Sequence, residues 1–122
     1  MSLLPFLECK NLPKYLIHGH YTVEGIKGLI KEGGTSRNNH FKENVANLGG
    51  KVESFYYAFG SDDIYTIVDL KDNQTAVSLI LALNEGGGFA ASSTVLLTPE
   101  EIDNAAKEAH KVGYKAPGTR NL

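Results

Sequence analysis

A chain of 122 residues, 42% apolar and 21% charged, has the length for one domain built on one core. With 12 basic and 14 acidic side chains and a formal net charge of -2, it carries no cationic excess for nucleic acid or an anionic membrane, so neither is expected as a partner. A single cysteine, Cys9, rules out an intrachain disulfide and a thiolate metal cluster and suits a reducing compartment, here expected to be the cytoplasm.

The opening run from Met1 to Asn11 lacks a basic start, is broken by Pro5 and meets Glu8 early, so it reads as a short extension rather than a signal peptide or membrane span. Tyr15 to Tyr21 then alternates, with Tyr15, Ile17, Gly19 and Tyr21 on one side and Leu16, His18 and His20 on the other, which predicts a strand with two different faces. Thr22 is placed to cap a helix in which Ile26, Leu29 and Ile30 recur at helical spacing up to Gly33-Gly34. A second helix starts near Thr35 or Ser36, carries Phe41, Val45 and Leu48 on one side, and stops at Gly49-Gly50. Lys51 to Phe59 and Ile64 to Leu70, rich in aromatic and β-branched residues and joined by Gly60-Ser61-Asp62-Asp63, predict an antiparallel hairpin. Asp72 or Asn73 caps the next helix, whose apolar stripe is Ala76, Leu79, Ile80 and Leu83, and Phe89 to Leu97 is a fourth strand. Thr98-Pro99-Glu100-Glu101 combines a capping hydroxyl, a proline suited to the first helical position and a capping-box glutamate, so a last helix runs to about His110. The residues after 111, with Pro117, Gly118 and Asn121, read as a tail.

Two βαβ-like halves around a central hairpin predict an α+β, ferredoxin-like βαββαβ domain at 12–111, with helices on one face of a four-stranded antiparallel sheet and an added C-terminal helix. The other face of the sheet is then bare, and a homodimer formed through it is the expected remedy.

Leu12-Pro13-Lys14-Tyr15-Leu16, Tyr21-Thr22 with Glu24-Gly25, Lys31-Glu32-Gly33-Gly34 with Arg37, and the run from Leu48 to Tyr56 resemble the GYD domain family. Phe59-Gly60 through Ile64-Tyr65, Val68-Asp69-Leu70 with Asp72, and Leu96 to Glu101 extend that resemblance in the same order. It implies a dimeric α+β barrel and no particular activity. At the turn, this chain has Asp62 where the family usually places an aromatic residue before its aspartate, here Asp63.

With the bare face lining a barrel cavity, the candidate ligand-binding residues are His18, His20, Phe55, Tyr57, Phe59, Tyr65 and Asp69, and the opposite parity of Ile17, Gly19, Ala58, Ile64 and Val68 is expected beneath the helices. His18 and His20 share a face and can relay a proton with Tyr57 or Tyr65 as donor, which makes these four the candidate catalytic residues. As metal ligands they want a third, such as Asp69, at a spacing the sequence does not fix, so no metal and no cofactor is expected. Gly33-Gly34-Thr35-Ser36-Arg37 offers helix-start amides, hydroxyls and the only arginine outside the tail, enough for a carboxylate or phosphate but without the lysine of a P-loop. Gly86-Gly87-Gly88 does not stand between a first strand and its helix and is no dinucleotide fingerprint. Asp62 and Asp63 diverge in a turn, with Asp63 expected to bond nearby amides, and Cys9 has no activating neighbour in sequence. The function expected is binding of a small apolar or aromatic molecule in a dimeric barrel. The alternatives are a cofactor-independent enzyme of monooxygenase or isomerase type, and an interaction module with a filled barrel.

Overall fold

The computed structural model describes residues 12–118; the extension at 1–11, Cys9 included, lies outside the described residues. The elements are β1 (Lys14–Tyr21), α1 (Val23–Glu32), α2 (Gly34–Asn47), β2 (Lys51–Tyr57), β3 (Ile64–Asp69), α3 (Asn73–Glu85), β4 (Phe89–Leu96) and α4 (Pro99–Ala109). The four strands form one sheet in the order β2-β3-β1-β4, every neighbouring pair antiparallel. This is the expected α+β, ferredoxin-like arrangement.

One face of the sheet is buried under helices. Tyr15 and Ile17 of β1 and Val68 of β3 point that way and pack with Phe41 and Val45 of α2 and Ala76 and Leu79 of α3, and Ile64 and Thr66 of β3 and Ala91 of β4 are buried on the same face. The stripes predicted for α2 and α3 reach the core, because each helix buries one face; the stripe predicted for α1 does not, since no residue of α1 is buried and Ile30 is 79% exposed. Tyr15 also donates its hydroxyl to Asn73 Oδ1 at 2.7 Å, which ties β1 to the start of α3. The other face carries Leu16, His18, His20, Tyr56, Tyr65, Ile67 and Ser92, and no helix of the described residues covers it.

The face assignment fails in β2. Simple alternation from Val52, which packs against the core, would turn Ser54 and Tyr56 inward and Phe55 and Tyr57 outward. A bulge between Val52 and Ser54 inserts one residue and reverses the parity beyond it. Phe55 and Tyr57 therefore lie on the helix side, opposite Thr66 and Ile64, while Tyr56 is outside and 70% exposed. Thr66, buried on β3, donates to Ser54 O at 2.6 Å and satisfies the carbonyl beside the bulge. Ala58 and Phe59 have left the strand: Ala58 is exposed rather than beneath a helix, and Phe59 sits in the turn with φ 55.

Local signals account for the helix ends. Thr22 accepts from Gly25 N at 3.2 Å and donates to Gly87 O at 2.9 Å, so the cap of α1 also fastens the α3–β4 link. Gly33 alone separates α1 from α2 at φ 87, where a side chain would be strained. Asp72 caps α3 through Thr75 N, and Thr98 with Glu101 forms a complete capping box on α4. Asn84 of α3 accepts from Ala91 N at 2.6 Å and donates to Ala91 O at 3.3 Å, occupying backbone groups of the edge strand β4. α4 differs from the other helices: its sequence is amphipathic, yet every one of its residues is exposed, Ile102 included.

Candidate functional site

The helix side of the sheet contains a small, partly open cavity of about 50 Å³, walled by Ile17, Phe41, Phe55, Ile64, Leu83 and Phe89. Thr66 also lines it, with its hydroxyl already donated to Ser54 O, so the interior is apolar in effect. Tyr21 and Arg37 complete the lining, and both also line a wider cleft of about 320 Å³ between the helices. Residues Gly25, Gly28, Leu29 and Glu32 line this cleft from α1 at spacings of three, one and three, the signature of one helical face. Asn44 of α2 and Ala82, Leu83 and Gly86 of the α3 end form the opposite walls. A cβ built on Gly28 would meet no heavy atom within 4 Å, whereas one on Gly25 would stand 1.8 Å from Gly88 O. Close packing therefore requires glycine at 25, but nothing in the folded chain requires it at 28 except the open space itself.

The wall shared by cavity and cleft includes two polar side chains, Tyr21 and Arg37. Tyr21 is half-buried, and burial first, the neighbouring Tyr57 phenol second, hold its ionisation above the usual tyrosine range. Arg37 acts in the opposite direction and is paired with Glu32 at 3.2 Å. Tyr57 donates to Gly34 O at 3.0 Å, and its ring lies against the α1–α2 junction. The glycine pair there thus serves a chain reversal and a close approach by Tyr57, while Arg37 reaches the cleft instead of sharing the pocket with His18.

The bare face holds a second cluster. His18 Nδ1 is 2.7 Å from Asp62 Oδ2, and its Nε2 is 3.4 Å from Thr94 Oγ1. An ionised carboxylate only accepts hydrogen bonds, so Asp62 fixes the proton on Nδ1 and leaves Nε2 of the neutral ring to accept from the threonine. Tyr65 stacks on His18 with the rings 13° from parallel, and His20, more exposed, has Nδ1 4.0 Å from Asp62 Oδ1. His18, His20, Asp62 and Ser92 border an open depression of about 450 Å³.

The predicted residues thus divide between two sites. His18, His20 and Tyr65 lie together on the bare face; Phe55, Tyr57 and Arg37 are on the helix side; Phe59 stacks on Tyr57 from the turn. Asp69 joins neither, because it pairs with Lys14 at 2.8 Å, four residues along β1 from His18 and so about 13 Å away. That excludes it as a third ligand to the histidines. Asp63 does bond an amide, but that of Tyr21 across the sheet, at 2.8 Å. Sequence reasoning missed Asp62 and Thr94, whose role depends on strand register, and Tyr21, Gly28 and Phe89, although the α1 glycine spacing was visible.

Among the described residues, no helix is long and apolar enough to cross a membrane, and no group of three or more His, Cys, Asp or Glu is arranged to hold a metal ion. The family model of the GYD domain matches residues 15–106. Neither the curated proteins nor the solved structures give a match.

Proposed function

Because the chain belongs to the GYD domain family, whose resemblance implies no reaction, we propose from its own geometry that it binds a small, largely apolar molecule in the cleft between α1, α2 and α3. The observation that carries this reading is the adjacency of a cleft of about 320 Å³ and a small, mostly apolar cavity, which share Tyr21, Arg37, Leu83 and Phe89 in their walls. A volume near 300 Å³ is the lower range of small-ligand sites. The site is moved from the barrel interior, where the sequence placed it, to the helix side. We retain the homodimer as part of the proposal: Leu16, Tyr65 and Ile67 on the bare sheet face and the uncovered α4 are surfaces that a second copy would bury. A cytoplasmic setting is consistent with the single cysteine.

The test is binding of the neutral fluorophore N-phenyl-1-naphthylamine to the full chain and to Gly28→Leu, whose side chain would fill the cleft. The proposal expects saturable binding that the substitution abolishes while the far-ultraviolet spectrum is kept. Binding unaffected by Gly28→Leu, or no binding, would overturn it.

A second reading, acid–base catalysis, is favoured by the Asp62–His18–Thr94 series alone. In it His18 is the base, Asp62 orients it, and Tyr65 covers one face of the imidazole. Tyr57 has no part in this arrangement, since it is on the other side of the sheet.

A further inference from the structure

Resting on the cleft reading, we infer that the molecule held there is a straight-chain alkyl carboxylate, its tail in the small apolar cavity and its carboxylate at Arg37. The cavity supplies the first half of the argument. Its volume of about 50 Å³ is a third of the roughly 150 Å³ in which an engineered apolar cavity holds benzene. A ring therefore does not fit, while the end of an unbranched chain does. The walls offer such a chain only hydrocarbon contacts, from Ile17, Phe41, Phe55, Ile64, Leu83 and Phe89.

The shared wall supplies the second half. Two charged residues line the cleft, Arg37 and Glu32, but only Arg37 also lines the small cavity. A head group left at the cavity's border by a tail inside it meets the guanidinium there, beside Glu32, which lines the cleft but not the cavity. The pair with Glu32 engages Nη1 of Arg37 at 3.2 Å, between side chains 41% and 42% exposed. A guanidinium has five N–H donors in a fork that suits a carboxylate, so one such contact leaves donors for a ligand. A phosphate head group would use the same donors, and the alkyl tail is what narrows the class.

The experiment is isothermal titration calorimetry of the full chain with octanoate, 1-octanol and benzoate, repeated on Arg37→Gln and Arg37→Lys. The inference expects octanoate to bind at least tenfold more tightly than octanol, and benzoate more weakly than octanoate. Arg37→Gln removes the tenfold preference without altering octanol binding, and Arg37→Lys restores part of it. Equal affinities for octanoate and octanol, or a preference that survives in Arg37→Gln, would overturn the head-group assignment while the cleft stands. Benzoate matching octanoate would overturn the alkyl assignment. Absence of binding by both octanoate and octanol would overturn the cleft reading as well, which separates the two failures.

Discussion

Replacing Gly28 by alanine is expected to make this protein more stable. The residue lies in the middle of α1 with ordinary helical geometry, where glycine costs about 0.8–1 kcal/mol relative to alanine because its unfolded chain has more freedom to lose. The added methyl would meet no heavy atom within 4 Å, so neither a clash nor new burial alters that balance. The expected gain is therefore about 0.5–1 kcal/mol, or roughly 3–6 °C in Tm for a domain near 100 residues. Urea unfolding followed by circular dichroism measures it, at one fixed protein concentration, since any self-association would make stability concentration-dependent. Gly25→Ala is the matched control, three residues away on the same face. There the methyl would lie 1.8 Å from Gly88 O, backbone that is itself held by Thr22 N, and the variant should be clearly destabilised. If Gly28→Ala lost stability, position 28 would be a packing glycine, and the idea that it keeps a cleft open at the helix's expense would be refuted.

Thr66→Val removes the hydroxyl that satisfies Ser54 O beside the β2 bulge and should cost about 1–3 kcal/mol in chemical denaturation, the penalty of an unpaired buried acceptor. A neutral result would mean that another donor reaches the carbonyl. On the alkaline side, Tyr21 and Lys14 both ionise above their ordinary values of 10.0 and 10.5, Tyr21 through burial and Lys14 through its hydrogen bond to Asp69. Folding then favours the protonated form of each, so their contribution is complete below those ordinary values and is lost as pH rises towards the folded-state ones. A pH series of Tm should fall in that window, and fall less steeply in Tyr21→Phe. For the bare face, nitrogen-15 spectra of the histidines should show His18 held as the Nδ1–H tautomer, with Asp62→Ala producing a mixture and leaving the fold intact; an unchanged ratio would remove Asp62 from the role assigned here. Ending the chain after Thr98 removes α4, none of whose residues is buried, and should preserve the secondary structure of the remaining domain while weakening the proposed dimer in sedimentation experiments.

Element order and most of the core could be read from the residues because helical stripes and caps are local. Phe41 and Val45, Ala76 and Leu79, and the capping residues Thr22, Asp72 and Thr98 all occupy the places their spacing predicts. The parity of β2 could not be read, since Phe55, Tyr56 and Tyr57 put aromatics on both sides and a single inserted residue decides which side is buried. The meeting of His18 with Asp62 and Thr94 was hidden for a related reason. Residues 44 and 76 positions apart come together only through strand pairing and the shape of a turn, neither of which has a local signal. Arg37 was identifiable as the only arginine outside the tail and a candidate to hold a carboxylate or phosphate, but which cavity it would serve depended on how α2 lies across the sheet.

The two outer strands bear on how this protein avoids fibrous growth. An exposed strand edge is a template to which another chain can add, layer after layer. Here β2 is interrupted by its bulge, so an incoming strand would find no regular ladder along that border. At the other border, Asn84 offers β4 an amide in place of a neighbouring peptide and occupies both backbone groups of Ala91. With both borders blunted, lateral extension of the sheet is discouraged, and the proposed homodimer through the broad surface bearing Leu16, Tyr65 and Ile67 would close after two copies instead of propagating.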